Sequence, residues 1–323
     1  MADHKVEVVP IVLEVHPNAD SLSLVRVFDN YVCCVRTEDW VGKSIGVFVP
    51  PDSILPDKEE YKFLQGHLRI KTRKFRGVMS QGLLLPAPEG TSIGDDVAEQ
   101  LGIIHWEPEL SVSYMPGNSE PPPPIKGVEG KYDIESWFKY GRNFEKYPDL
   151  EVIITEKIHG TNSRFTFQEG RMWVASRAFF RKPDPEDLYW KIITYYPWIE
   201  AYCRLNPGAV LFGEIFGAVQ RLKYGATQEK PYFFRMFDVF EGGKFLDWTN
   251  EIIEMNSDRV VPILYHGLYS KEIVKKLIDG PSTIPGAKHC REGIVIKPKH
   301  EIYHEHFGRL ILKAVSPTYL EKS

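Results

Sequence analysis

The spacing of apolar residues divides the chain into two parts. Up to about Trp106 the apolar runs are short and closed by turn residues. Val6-Glu7-Val8-Val9 ends at Pro10, residues 44–49 end at Pro50-Pro51, and Leu83-Leu84-Leu85 ends at Pro86. Residues 22–27 and 31–35 flank Asp29-Asn30, a hairpin turn signal. Short strands with turns between them predict a small closed β-barrel of the OB type. From residue 132 the periods are mixed. One helix is expected over 134–140. Another is expected from Asp184, which can cap, through Pro185 at the first position, to about Tyr196, where Pro197 interrupts it. Its stripe of Leu188, Ile192, Ile193 and Tyr196 reads as core packing. A third helix over 270–279 is closed by Gly280. Strands at 152–154, 164–167, 211–214, 232–234, 293–297 and 309–314 complete an α+β domain with antiparallel sheets around a cleft. Pro121-Pro122-Pro123-Pro124 favours a stiff polyproline spacer. The expected organisation is therefore an OB-like module over 1–114, a Pro-rich linker over 115–131 and a second domain over 132–323.

Composition narrows the functional classes. The chain has 323 residues, 43% of them hydrophobic, enough for two packed cores, and a net charge of only -4. Without a global basic bias, a nucleic-acid surface has to be a local patch. One candidate is Arg69, Lys71, Arg73, Lys74 and Arg76. On a strand, Arg69, Lys71 and Arg73 would share one face, as a phosphate-contacting row or as an ordinary solvated face. Cys33, Cys34, Cys203 and Cys290 show no metal-ligand spacing. The expectation is a cytoplasmic or other reducing intracellular compartment. No signal-peptide pattern opens the chain, and no apolar run approaches the ~18 residues of a membrane span.

Candidate chemistry concentrates in Glu156-Lys157-Ile158-His159-Gly160-Thr161-Asn162, between the strand around Val152-Ile153-Ile154 and the alternating Arg164-Phe165-Thr166-Phe167. A lysine nucleophile must be neutral when it attacks. With an ordinary pKa of ~10.4, fewer than about one in a thousand is neutral at pH 7, so a cationic neighbour or metal is needed. Glu214 and Glu292 each lie beside a glycine in an apolar strand context, where an unpaired acid would be expensive. Their carboxylates suit a hard cation such as Mg²⁺ or Mn²⁺. Arg177, with its planar fork of donors, suits a phosphate or ribose.

The ordered set of this motif, Ser176-Arg177, Phe212-Gly213-Glu214, residues 234–240, Arg291-Glu292-Gly293-Ile294-Val295-Ile296-Lys297 and Leu310-Ile311-Leu312-Lys313 resembles the covalent nucleotidyltransferases: RNA ligases, DNA ligases and mRNA capping enzymes. Glu-Lys-Ile-His-Gly-Thr-Asn is most similar to the phage-type nick-sealing RNA ligases. Val49-Pro50-Pro51-Asp52-Ser53 and Ser80-Gln81-Gly82-Leu83-Leu84 resemble the N-terminal module of the Deinococcus-type, OB-containing, ATP-dependent RNA ligases. His16-Pro17-Asn18-Ala19-Asp20 is similar to tRNA-binding OB modules.

That resemblance implies that Lys157 attacks the α-phosphorus of ATP, expels pyrophosphate and becomes lysyl-AMP. It implies that Glu156 faces the purine, that Gly160 belongs to the nucleotide site, and that His159 and Asn162 serve near the reaction centre. Arg177 would grip phosphate or ribose, and Glu214 and Glu292 would hold the metal, unless Glu214 binds the ribose hydroxyl. Phe237 would stack on adenine, with Phe234 and Phe240 as competitors, and Asp238 would act in later steps. Lys297 and Lys313 would neutralise phosphate charge. The last family motif has two lysines one residue apart; here only Lys313 is present, with Ile311 and Val315 at that spacing. AMP would pass to a 5′-phosphate and leave when a 3′-hydroxyl attacks. The expected partner is a nicked duplex with an RNA 3′-OH end, bound by a monomer without a membrane. Two rivals stand beside this reading. A capping guanylyltransferase would use GTP, and its OB module follows the catalytic domain. A non-catalytic nucleic-acid-binding protein would be expected to have lost Lys157 or the two glutamates.

Overall fold

The computed structural model describes residues 4–28, 30–106, 118–123, 132–249, 258–304 and 308–322. Asp29 of the expected hairpin turn and most of the expected linker lie outside these residues. The chain forms two compact units. One takes residues 2–109 with 135–142 and 317–323; the other takes chiefly residues 110–134 and 143–316.

The N-terminal unit is built from short antiparallel strands. β1 (Glu7–Pro10) pairs with β5 (Ile45–Val49), and β5 pairs with β8 (Leu83–Leu85). β2 (Leu13–Val15), β3 (Leu22–Val27) and β4 (Tyr31–Arg36) form a second meander, and β6 (Arg73–Phe75) with β7 (Val78–Ser80) a hairpin. The runs in β1 and β5 are continuous because both faces are buried. Val8, Val47 and Val49 enter one apolar cluster, while Val9 and Phe48 enter another. A fully buried aliphatic side chain contributes ~1.5–3 kcal/mol, so these two clusters hold the unit together.

The expected basic face does not form as one strand. Only Arg73–Phe75 is strand, and Arg69 is withdrawn from the set. Its guanidinium donates to Asp52 Oδ1 at 2.6 and 3.0 Å and lies 3.2 Å from the Trp106 ring centre.

The second unit carries two antiparallel sheets. In the first, β12 (Phe180–Arg181), β11 (Arg171–Ser176), β10 (Thr161–Gln168), β13 (Val210–Gly217) and β14 (Tyr232–Glu241) lie side by side, flanked by two-residue strands. In the second, β17 (Leu312–Val315), β16 (Gly293–Pro298), β9 (Glu151–Lys157) and β15 (Ile263–Leu268) are neighbours in that order. The chain leaves the second sheet at Lys157 and enters the first at Thr161. Ile158-His159-Gly160 is thus the crossover between sheets.

Helix α1 (Leu188–Tyr195) starts later than its sequence suggests. Asp184 closes a local turn by accepting from the Glu186 amide, and Asp187 is the true cap, accepting from the Tyr189 amide. Asp187 is also paired with Arg181, which fixes the cap in place. Leu188, Ile192 and Ile193 are buried as core, whereas Tyr196 is only half-buried. Pro197 ends α1 and caps a further helix, α2 (Trp198–Leu205). The expected helix over 134–140 shortens to Trp137–Tyr140. Helix α3 (Lys271–Ile278) is capped by Ser270 Oγ, which accepts from the Ile273 amide. Among the described residues, no helix is long and apolar enough to cross a membrane.

Candidate active site

Strand alternation decides which side chains meet. On β9, Lys157 lies on the same face as Thr155 and Ile153; on β16, Lys297 pairs with Ile153 and Val295 with Thr155; on β17, Lys313 pairs with Val295. Cross-strand partners share a face, so Lys157, Lys297 and Lys313 stand on one side of the second sheet. Val315, two residues after Lys313, belongs to that same face. Of the two residues at the spacing of the missing lysine, Val315 therefore stands on the lysine-bearing face.

Glu156 alternates to the opposite face. Its carboxylate is almost wholly buried and accepts from Ser282 Oγ (2.5 Å), the Thr283 amide (2.7 Å) and Thr283 Oγ1 (2.8 Å). Both oxygens are committed to the 282–283 loop. The expected purine contact by this carboxylate gives way to a structural clamp behind the nucleophile.

Lys157 meets two acids. Its Nζ donates to Glu292 Oε1 at 2.6 Å. Burial disfavours its charge, but Glu292 and Glu214 more than offset this, and the amine is held above its ordinary value as an ammonium. Glu214 reaches the same place from the first sheet. Burial pushes its carboxyl up to about 8, against the pull of Lys157 and a hydrogen bond from the Gly160 backbone. Asn162 is the cross-strand neighbour of Glu214. Asn162 Oδ1 and Glu292 Oε2 are buried acceptors with no hydrogen-bond partner among the described residues. Two carboxylates and orphaned oxygens beside them form a donor set that suits a hard divalent cation. Among the described residues no three His, Cys, Asp or Glu side chains cluster for a metal. A cation here would complete its shell with phosphate and water oxygens, as Mg²⁺ commonly does.

Gly160 and His159 shape the crossover. A Cβ on Gly160 would lie 2.1 Å from the Ile215 carbonyl oxygen. Close approach to the neighbouring strand by itself requires glycine here. The His159 amide donates to Tyr224 Oη at 2.7 Å. Burial lowers the pKa of the His159 ring, which favours the neutral form.

Arg177 is partly exposed and donates to both oxygens of Asp133 at 2.8 and 2.9 Å. Lys313 is pushed below its ordinary value by burial and by Lys157, with Asp133 opposing.

Asp238 departs from its expected role. Its Oδ2 accepts from Tyr132 Oη (2.6 Å) and Arg309 Nη1 (2.8 Å), and its Oδ1 from Lys297 Nζ (3.3 Å). Burial works against its charge, yet Lys297 and Arg309 win and hold the carboxyl below the usual range. Arg309 also grips Glu301. Asp238 is enclosed by this network, with both carboxylate oxygens bonded inside the protein. Lys297 is locked with it, over the Trp248 ring at 4.0 Å. Burial, with Arg309 nearby, pushes its amine down to about 8 despite Asp238.

Phe237 sits in an aromatic cluster, 5.1 Å from the Tyr132 ring centre, and is half-buried. Phe234 is fully buried against Phe165 and Gly213, and Phe240 is buried with Phe212 and Val210. Of the three candidates only Phe237 is not fully buried. Tyr132, Asp133, Tyr224, Ser282, Thr283, Glu301 and Arg309 carry no local sequence signal. Their importance appears only when distant loops are brought together.

Comparison with known proteins decides the family. An RNA ligase model matches residues 150–315, just over half the chain. The chain belongs to the RNA ligase family. An OB-fold domain model matches residues 5–87 of this ligase, in keeping with the architecture of its N-terminal unit. Solved structures of an RNA ligase from Naegleria gruberi share its fold over nearly the full length. A lysine-to-alanine variant with ATP and Mn is 24% identical, with a TM-score of 0.80 and coverage of 98% of each chain. The form with PPi is 24% identical at a TM-score of 0.80, covering 99% of this chain and 98% of that one. An aspartate-to-alanine apo variant is 25% identical at a TM-score of 0.80, covering 99% and 98%. No curated protein sequence matches this chain.

Proposed function

We propose that this ligase uses ATP to seal 3′-OH/5′-phosphate nicks in a duplex whose 3′-OH strand ends in RNA. The observation that carries the reading is the meeting of Lys157 with Glu292 and Glu214 beside the orphaned oxygens of Asn162 and Glu292. The Naegleria gruberi relatives were solved with ATP and Mn and with PPi, which supports ATP as the nucleotide and a divalent metal as its companion.

Lys157 Nζ attacks the α-phosphorus, the bond to the β-phosphate oxygen breaks, and pyrophosphate leaves. To do so the ammonium must leave its ion pair with Glu292 and give up a proton to solvent water. Lys313 and Arg177 supply charge for the phosphates, Arg177 exchanging Asp133 for the nucleotide. A divalent cation held by Glu214, Glu292 and Asn162 Oδ1 would neutralise phosphate charge when bound. The AMP then passes to a 5′-phosphate, and a 3′-hydroxyl displaces it.

The test is covalent labelling. The protein is incubated with α-labelled ATP or GTP and Mg²⁺ or Mn²⁺, then denatured. The expected result is label from ATP alone, absent in Lys157→Ala. Label from GTP would favour a capping-type reaction, and no label with either metal would overturn the reading. Nicked duplexes with RNA or DNA on each side then test the strand preference.

A further inference from the structure

The basic run of the N-terminal unit keeps one well-exposed part, the β6–β7 hairpin. Arg73, Lys74 and Phe75 are all exposed, and Phe75 leaves 42% of its surface in water. Among the described residues no carboxylate pairs with Arg73 or Arg76, and Lys74 reaches only Glu321, at 3.9 Å.

The turn itself is unusual. Phe75 pairs with Val78, leaving Arg76-Gly77 as a two-residue loop. Both residues have positive φ, 45° at Arg76 and 89° at Gly77. Such hairpin loops favour Asn, Asp or Gly at the first position, because a longer side chain is disfavoured there. An arginine held in that conformation is a local cost that needs a compensating role.

The hairpin is also strapped down. Asn18 Nδ2 donates to the Arg76 carbonyl at 2.9 Å, and buried His16 donates from Nε2 to the Phe75 carbonyl at 3.3 Å. The Asn18 amide donates to His16 Nδ1 at 3.1 Å, which leaves Nε2 as the protonated nitrogen. The segment around Pro17 thus fixes the backbone of the turn while its side chains stay in solvent. A rigid tip with an exposed ring and unpaired cations complements a polyanion with flat faces.

We propose that the hairpin of residues 73–80 grips a single-stranded RNA extension flanking the nicked duplex, with Phe75 stacked on a base and Arg73 and Arg76 on neighbouring phosphates. Base faces are covered inside a duplex and open only where a strand is unpaired, so the ring selects single-stranded nucleotides. The choice of RNA as ligand rests on the ligase reading.

The test is fluorescence anisotropy with a labelled single-stranded RNA and the same strand in a flush duplex, using the full chain. Phe75→Ala should weaken single-strand binding about tenfold, and Phe75→Trp should restore it, since stacking tolerates any aromatic. Duplex binding should be unchanged by either. Arg73→Ala with Arg76→Ala should lower the slope of log affinity against log salt by about 0.7 per cation on the single strand. Single-strand binding unchanged in Phe75→Ala, or lost equally for the duplex, overturns the proposal, as does an unchanged salt slope. Lysyl-AMP formation is measured in parallel. It should match wild type in every variant, because the hairpin takes no part in it. If wild type forms no adduct yet binds RNA through Phe75, the ATP reading falls and the hairpin stands.

Discussion

Lys297 Nζ lies 3.3 Å from Asp238 Oδ1, both side chains almost wholly excluded from water. Arg309 and Tyr132 close the other oxygen of Asp238. Removing one partner of such a group leaves charge buried without compensation, which costs roughly 3–5 kcal/mol. Asp238→Asn should therefore destabilise the second unit by about that amount, read by urea unfolding at neutral pH. The pH dependence has a definite sign. The native Asp238 carboxyl sits below its ordinary value, so the unfolded chain binds more protons as acid is added. Its contribution is present above about pH 4 and is lost as pH falls through the native value. The gap between wild type and Asp238→Asn should narrow in that acid window; a gap constant down to the lowest pH would refute an ionised Asp238.

Glu214 and Glu292 are each expected to serve adenylate transfer. Losing one preorganised electrostatic partner commonly costs about 10²–10³ in rate. Glu214→Gln and Glu292→Gln should each slow lysyl-AMP formation by about 10²-fold in single-turnover assays and move the Mn²⁺ requirement to higher concentration. Full recovery at saturating Mn²⁺ would mean that the carboxylate only binds the ion.

Gly160 tests the crossover. A methyl group there would lie 2.1 Å from the Ile215 carbonyl oxygen, and backbone cannot yield as a flexible side chain does. Gly160→Ala should separate the strands that carry Lys157 and Glu214. The expected cost is about 1–3 kcal/mol in stability together with loss of adduct formation. Wild-type melting and wild-type labelling would show that the two sheets have slack at this point.

What the sequence makes legible follows from local periods, and what it hides follows from breaks in them. The strand runs around Val152 and Val47 announce themselves, as does the lysine at the end of β9. The same period of two places Glu156 on the other face from Lys157, and only the 282–283 loop shows what that face meets. Asp238 is hidden for another reason. Simple alternation would group it with Phe234 and Met236. A bulge at Phe237, where Gly213 pairs with Met236 but Phe212 pairs with Asp238, switches the parity and turns Asp238 toward Lys297. Arg69 reads as one of a basic row until Asp52 and Trp106, distant in sequence, claim it. Arg309 and Glu301 have no motif, because their pairing is a property of the folded loop.

The same bulge gives Phe237 its distinct position, and this separates it from its neighbours experimentally. Phe234 is core, so Phe234→Ala should cost about 3–5 kcal/mol and disable the enzyme by unfolding it. Phe237 is half-buried at the edge of an aromatic cluster. Phe237→Ala should leave the unit folded, while raising the ATP concentration needed for half-maximal adduct formation by about tenfold, the scale of one lost base–aromatic stack. Phe237→Tyr should retain the wild-type requirement, because the flat face survives. An unchanged ATP requirement in Phe237→Ala would remove the ring from the nucleotide site.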